Sequence, residues 1–239
     1  LTPNIDMFTL ETPCIDAYLK RVIDACHKRG THAIGGIATH IPDKSKAPEI
    51  TSTFPEQAEK DKTYEANLGF DGSRVSHPRM VQKTLMLFNN VFSGDNQIEK
   101  RIENLPGVCQ LLEVPKGLIS EKNIRKNIHV SMLYLAAWLS GNGTVNIKNI
   151  MQDVATAELS RSQIWQWLNA GALMDDGRTF DMKLYQEIVR EELIKLQVDN
   201  SLNTEWKPFV SQAANVFKTV IQRRKFTDFM TIEAARYLH

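Results

Sequence analysis

Three things are scarce in this sequence, and each shortage removes a class of function. Charge of one sign is missing. With 29 Lys and Arg against 28 Asp and Glu the net charge is +1, which gives neither nucleic acid nor an anionic membrane as the main partner. Cysteine is scarce and odd in number. Cys14, Cys26 and Cys109 lie far apart without metal-ligand spacing, and free thiols in a reducing compartment account for them. Long apolar runs are missing too, since the longest, Val130 to Leu139, is far too short to span a bilayer. The first residues are Pro-broken and acidic, so no signal peptide is visible. The closing Arg236-Tyr-Leu-His239 is not a peroxisomal address of the Ser-Lys-Leu type. No internal repeat or low-complexity stretch occurs. The chain starts with Leu1 rather than Met, as a piece cut from a longer protein would.

What is present is ordinary for a soluble globular chain: 239 residues, 42% apolar and 24% charged, enough for one good core or a large domain plus a small one. Residues 1–11 read as the tail of an earlier element. Thr12-Pro13 opens a helix with Ile15, Tyr18, Leu19, Val22 and Cys26 as its apolar stripe, ended by Gly30. His32 to Ala38, broken by Gly35-Gly36, reads as a buried strand. Two prolines and several charges make His40 to Pro55 a loop. A polar helix over Glu56 to Leu68, a strand over Ser73 to His77 stopped by Pro78, and a helix over Met80 to Phe92 follow.

Alternation of helix and strand is the repeat of a parallel α/β fold. A complete (β/α)₈ barrel takes about 250 residues, so two strands read as the last part of one, with earlier strands missing. The expected fold class is thus α/β plus all-α: a partial TIM barrel over residues 1–92, a Gly- and Pro-rich linker over 93–119, and a helical C-terminal domain over 120–239. In that domain Ile124, Ile128, Ser131, Leu135 and Leu139 form a helical stripe ending at Gly141-Asn-Gly143. A helix over Met182 to Val198 comes later, then a Trp206-Lys-Pro208 region leading into a helix up to about Gln222 and a short closing segment, with no sheet in this domain.

One stretch organises the rest: Met151-Gln-Asp-Val-Ala-Thr-Ala-Glu-Leu-Ser-Arg-Ser-Gln-Ile-Trp-Gln-Trp-Leu168. It reads as a helix entered from a turn at Asn146 to Asn149, with Asn149 and Gln152 spaced as a capping box. That puts Asp153 in the first turn, where the helix dipole favours a carboxylate. On local grounds Asp153 needs no role beyond stabilising that helix. The wording of the whole stretch, however, closely resembles the signature segment of malate synthase. Three further runs resemble the same family: Cys26-His-Lys-Arg-Gly30 with His32-Ala-Ile-Gly-Gly-Ile-Ala38 and Ile41-Pro42, then Phe70-Asp-Gly-Ser-Arg-Val-Ser-His-Pro78, then Trp138-Leu-Ser-Gly-Asn-Gly143. Residues after about 175 match weakly.

The resemblance implies a (β/α)₈ barrel with its active site at the strand C-termini and a helical domain closing over it. It implies condensation of acetyl-CoA with glyoxylate to malate and CoA, with Asp153 as the base that takes a proton from the acetyl methyl group. A carboxylate is a weak base for a carbon acid, so the enolate needs stabilisation as it forms. In the family an arginine and a Mg²⁺ held by two carboxylates supply it. Those ligands belong to earlier strands, so the resemblance places no metal ligand in this chain. Gly35, Gly36, Arg74, His77 and Pro78 are the further substrate-binding candidates. Each has a plainer reading: Gly35-Gly36 as close helix packing, His77 as a structural residue at a strand end. Four departures from the family wording stand out: Gln152 for a usual Glu, Arg74 for a usual Trp, Ile37 for Met, and Asn169-Ala170 for a His pair.

Of the two tryptophans on the signature helix, Trp165 and Trp167, one is expected in the core and the other at a domain contact. An exposed Arg161–Glu158 pair would add a few tenths of a kcal/mol, about 0.2–0.5. The basic clusters Lys122/Arg125/Lys126 and Arg223-Arg-Lys225 lack interleaved aromatics and read as solvated faces. The implied partners are acetyl-CoA and glyoxylate, plus another copy or the missing N-terminal half to cover the barrel remnant. The compartment is cytoplasmic or peroxisomal/glyoxysomal. The rival reading is a non-catalytic interaction protein that keeps the helical domain and a barrel remnant.

Overall fold

The computed structural model describes residues 1–39, 56–147, 149–199 and 201–238. The chain forms two compact units: Ile5–Pro115 with Lys148–Met151, and Leu1–Asn4, Lys116–Ile147 and Gln152–His239. The expected loop over His40 to Pro55, with Ile41-Pro42, lies outside the described residues.

The first unit is α/β. Helix α1 (Pro13–His27) starts where Thr12 is extended and Pro13 fixes the first helical φ. It ends at Gly30, whose φ of 62° is the left-handed conformation that glycine tolerates best. Its buried residues include Leu19, Ile23 and His27, while Tyr18, expected on the apolar stripe, is 57% exposed. Strand β1 (Ile34–Ala38), helix α2 (Glu56–Leu68), strand β2 (Gly72–Val75), a 3-10 turn (Pro78–Met80) and helix α3 (Val81–Asn89) follow. The expected strand–helix order therefore stands, and β1 pairs with β2 in parallel. The register is Ile34↔Gly72, Gly35↔Ser73, Ile37↔Arg74 and Ala38↔Val75, with a bulge at Gly36. Leu19, Ile23, Ala33, Ala66, Phe70 and Phe88 form the main core of this unit.

Among the described residues the sheet has two strands and is not closed, in keeping with the two strands expected. One expectation changes here: β1 is not a buried strand, because Ile34 is 50% and Ile37 36% exposed. A parallel strand is buried on both faces only when layers cover both, and the described residues do not supply the second cover. The region 93–119 contains a single regular element, the 3-10 helix Val108–Leu112.

The second unit is built around helix α4 (Glu121–Leu139). Ser120 caps it by accepting from Asn123 N–H at 3.3 Å. All five residues of the expected stripe are buried, and so are Met132, Leu133, Tyr134, Ala136 and Ala137. A helix apolar on every side in its second half must sit inside a bundle, and α4 does. Helices α5 (Val154–Asn169), α6 (Met182–Val198) and α7 (Val210–Gln222) pack around it, and α8 (Met230–Ala234) closes the unit. The N-terminal residues join this unit. Trp167 Nε1 donates to the Thr2 carbonyl at 2.8 Å, and Gln163 Nε2 donates to the Pro3 carbonyl at 2.8 Å.

Residues 120–239, expected to be helical, are not free of sheet. Strands β3 (Val145–Ile147) and β4 (Ile150–Gln152) form a two-stranded sheet, and an isolated bridge joins Leu173 to Thr179. The physical reason lies in the burial pattern and in one backbone angle. Val145 and Ile147 are buried on either side of exposed Asn146, a strand alternation. Asn149 has φ 62°, a conformation asparagine adopts more readily than most residues. The segment expected to lead straight into a helix is instead a reversal of the chain. No helix among the described residues is long and apolar enough to cross a membrane.

Candidate active site

Because the chain turns at Asn149, the organising helix starts at Val154, and Asp153 is its N-cap rather than a first-turn residue. This corrects the expected capping box at Asn149. Asp153 is extended, with φ −122° and ψ −175°, while its carbonyl already accepts from Ala157 N–H at 3.1 Å. Its Oδ1 accepts from Thr156 N–H at 3.0 Å and from Thr156 Oγ at 3.1 Å. Among the described residues Oδ2 accepts no hydrogen bond. The carboxylate is therefore half-buried, held in one orientation by the helix start, and left with one oxygen to offer. Ala157 and Ile164 are buried with 0% exposure and anchor α5 to the core.

Tyr134 on α4 is 1% exposed and donates to the Gly143 carbonyl at 3.3 Å. Burial pushes its phenol above the ordinary tyrosine value, and the negative charges of Asp153 and Glu158 push the same way. Gln152, where the family usually carries Glu, is 8% exposed, and its Oε1 has no hydrogen-bond partner among the described residues. Arg161 is not on a solvated face, as a surface i,i+3 pair would be. Its side chain is 1% exposed and bonds Glu158 from within the fold. Trp167 is the core tryptophan, and Trp165 packs edge-on against Phe226 with ring centroids 5.1 Å apart.

The other candidates lie in the α/β unit. Gly35 and Gly36 are on β1, and Arg74 is exposed on β2 opposite Ile37. His77 Nδ1 accepts from Arg79 N–H at 3.2 Å and so caps the 3-10 turn that Pro78 opens. That is a structural role for both. The glycine pair is explained by a group the sequence did not advertise. Glu65 on α2 reaches the strand, and its Oε1 accepts from Gly36 N–H at 3.0 Å. Lys62 Nζ donates to Glu65 Oε2 at 2.9 Å and to the Gly36 carbonyl at 2.6 Å. Ser73 Oγ adds a bond to Glu65 Oε2 at 3.0 Å. The side chains of Lys62 and Glu65 are each 3% exposed. A bulge leaves a peptide unpaired in the ladder, and this ion pair takes both its N–H and its C=O.

A second buried pair was equally silent. His27 Nε2 meets Asp71 Oδ2 at 2.9 Å, and Nδ1 meets the Lys100 carbonyl at 2.8 Å. Asp71 also accepts from Ala33 N–H and Gln97 N–H, both at 2.7 Å. Burial pushes the Asp71 carboxyl up, but those backbone bonds and His27 together hold it below the usual carboxylate value. The only sequence signal for either pair is a charged residue at an otherwise buried helical position. Met151 N–H, two residues before Asp153, donates to the Thr39 carbonyl just past β1 at 2.8 Å.

Among the described residues no group of three or more His, Cys, Asp or Glu side chains could hold a metal ion.

Residues 1–114 match the family model "Malate synthase, TIM barrel domain", and residues 118–238 match "Malate synthase, C-terminal". A malate synthase of Dictyostelium discoideum is 36% identical over 247 residues, covering 100% of this chain and 45% of that protein. One from Myxococcus xanthus is 34% identical over 233 residues, covering 97% of this chain and 43% of its own length. A glyoxysomal malate synthase of Gossypium hirsutum is 35% identical over 229 residues, 93% of this chain and 40% of that protein. The chain thus spans less than half the length of these curated relatives.

Proposed function

The chain belongs to the malate synthase family, and from that premise we propose that it supplies the base for condensing acetyl-CoA with glyoxylate to malate and CoA. Asp153 takes a proton from the acetyl methyl group. The carbon so freed bonds to the aldehyde carbon of glyoxylate as the aldehyde C=O π-bond opens, the resulting alkoxide takes up a proton to become the hydroxyl, and water then cleaves the thioester so that CoA leaves. The observation that carries this reading is the division of labour within one carboxylate. Oδ1 is fixed by Thr156, whereas Oδ2 has no acceptor role among the described residues and remains available for a proton. A base held in one orientation needs little reorganisation when the reaction begins.

In this reading β1 and β2 are the last strands of a (β/α)₈ barrel, residues 93–119 link it to the helical domain, and residues 120–239 carry the base. The exposed Ile34 and Ile37 support the reading that further strands, or another chain, cover this sheet. Gly35, Gly36, Arg74, His77 and Pro78 stay proposed as neighbours of the substrate pocket, with Gly35, His77 and Pro78 owing their identity first to packing and capping. Magnesium and the enolate-stabilising arginine are what the family implies. The described residues do not fit a metal. Cytoplasm or a peroxisome-like organelle is the proposed compartment, the relatives including both a bacterial protein and a glyoxysomal one.

The test is release of CoA from acetyl-CoA and glyoxylate. A protein that joins this segment to the remainder of a family chain is expected to turn over, and the 239-residue chain alone is not. Absence of turnover in the joined protein, with both halves folded, contradicts the proposal.

A further inference from the structure

Three side chains on one face of α5 have no part in the chemistry above. Glu158, Arg161 and Trp165 stand at i, i+3 and i+7, and each bonds to the main chain of residues 223–230. Residues 223–229 have no helix or strand, so their backbone groups need other partners. Arg161 Nη1 donates to the Thr227 carbonyl at 2.8 Å and Nη2 to the Asp228 carbonyl at 3.3 Å. Its Nε donates to Glu158 Oε2 at 2.8 Å, with Nη2 bonded to the same oxygen. Its guanidinium carbon lies 4.1 Å from the centre of the Phe226 ring. Glu158 Oε1 accepts from Met230 N–H at 2.7 Å, and Trp165 Nε1 donates to the Arg223 carbonyl at 2.9 Å.

A buried charge pair is a poor source of stability, because desolvation offsets much of its attraction. α5 already has apolar anchors in Ala157, Ile164 and Trp167. What a bonded guanidinium fork adds is direction: it fixes the rotation and axial position of a helix more tightly than apolar contacts do. We propose that Glu158 and Arg161 are positioning residues, which clamp the Arg223–Met230 segment onto α5 and thereby fix the orientation in which that helix presents Asp153. The proposal rests on Asp153 being the base, and it gives the Glu158 and Arg161 of the signature stretch a purpose that capping and core packing do not.

The test uses the complete enzyme containing this segment and the variant Arg161→Lys, which keeps the charge beside Glu158 but loses the fork to Thr227 and Asp228. Turnover should fall about tenfold or more, with KM for acetyl-CoA changed less than about twofold, since misplacing a catalytic group acts on the chemical step. The double variant Asp153→Asn/Arg161→Lys should be no slower than Asp153→Asn alone, because both act through one carboxylate. Hydrogen exchange at the Met230 amide should quicken in Arg161→Lys. If Arg161→Lys does not fold, Phe226→Leu, at a ring that is 36% exposed, loosens the same clamp without unpairing a charge and should shift kcat and exchange in the same directions. Unchanged kcat with a lowered melting temperature, or additive losses in the double variant, overturns the proposal. If Asp153→Asn itself retains turnover, the base reading fails instead. In that case unchanged exchange at Met230 still tells independently that no clamp exists.

Discussion

Replacing Gly35 with alanine asks why β1 carries two glycines. A Cβ at Gly35 would lie 2.2 Å from Glu65 Oε2 and 2.6 Å from its carboxyl carbon. The carboxylate cannot swing aside cheaply, because it is 3% exposed and bonded to Lys62, Gly36 and Ser73. If the strand yields, overpacking costs about 1–3 kcal/mol. If the carboxylate yields and leaves Lys62 unpaired, the cost is about 3–5 kcal/mol. The softer route wins, so Gly35→Ala should lose about 2–3 kcal/mol. At Gly36 the same Cβ meets Glu65 Oε1 at 3.6 Å, an ordinary contact, and the loss should stay below about 1 kcal/mol. All 4 tryptophans belong to the helical unit, so their fluorescence does not report on this change. Native-state hydrogen exchange of the α2 amides does. Equal losses at the two glycines, or no loss at Gly35, would refute the packing explanation and return the pair to a ligand-binding role.

Other consequences follow from the same contacts. Asp71 has a folded-state pKa below its unfolded value, so its contribution is complete above about pH 4 and disappears as the pH falls through the folded value. Asp71→Asn should therefore be less stable than the parent near neutrality and converge with it in acid, as measured by urea unfolding at several pH values. Gln152→Glu would bury a carboxylate without a partner and cost about 1–3 kcal/mol. That loss should grow as pH rises and the group ionises, visible in the thermal unfolding of the helical unit by tryptophan fluorescence. Asp181 caps α6 by accepting from Leu184 N–H at 2.8 Å, so Asp181→Ala should cost about 1 kcal/mol in the same assay.

Helix limits were legible where apolar spacing and flanking signals agreed. α2 and α6 have the limits read from sequence, because the closing Gly69 and the apolar spacing through Ile188 and Leu196 are local information. The β3–β4 reversal was not legible, since Asn149 at positive φ looks the same in a sequence as Asn in a helix-entry turn. Missing that reversal moved the start of α5 and changed Asp153 from a first-turn residue into a cap. The Lys62–Glu65 and His27–Asp71 pairs join positions whose partners are set by strand–helix packing rather than spacing. Charges in amphipathic helices read as solvent-facing until a strand is known to lie against them. Arg161 misled in the same way, because its Phe226 and Thr227 partners lie far along the chain.

One variant, Asp153→Asn in the complete enzyme, tests the proposed base most directly. Asparagine is as good an N-cap as aspartate, so the bond from Thr156 N–H and the melting temperature should be retained. Acetyl-CoA affinity should hardly change, because the base acts on the methyl group chiefly in the transition state. Turnover should fall by about two to four orders of magnitude, the usual contribution of a general base. Turnover within about threefold of the parent, a change too small for a lost general base, would make Asp153 a helix cap and nothing more.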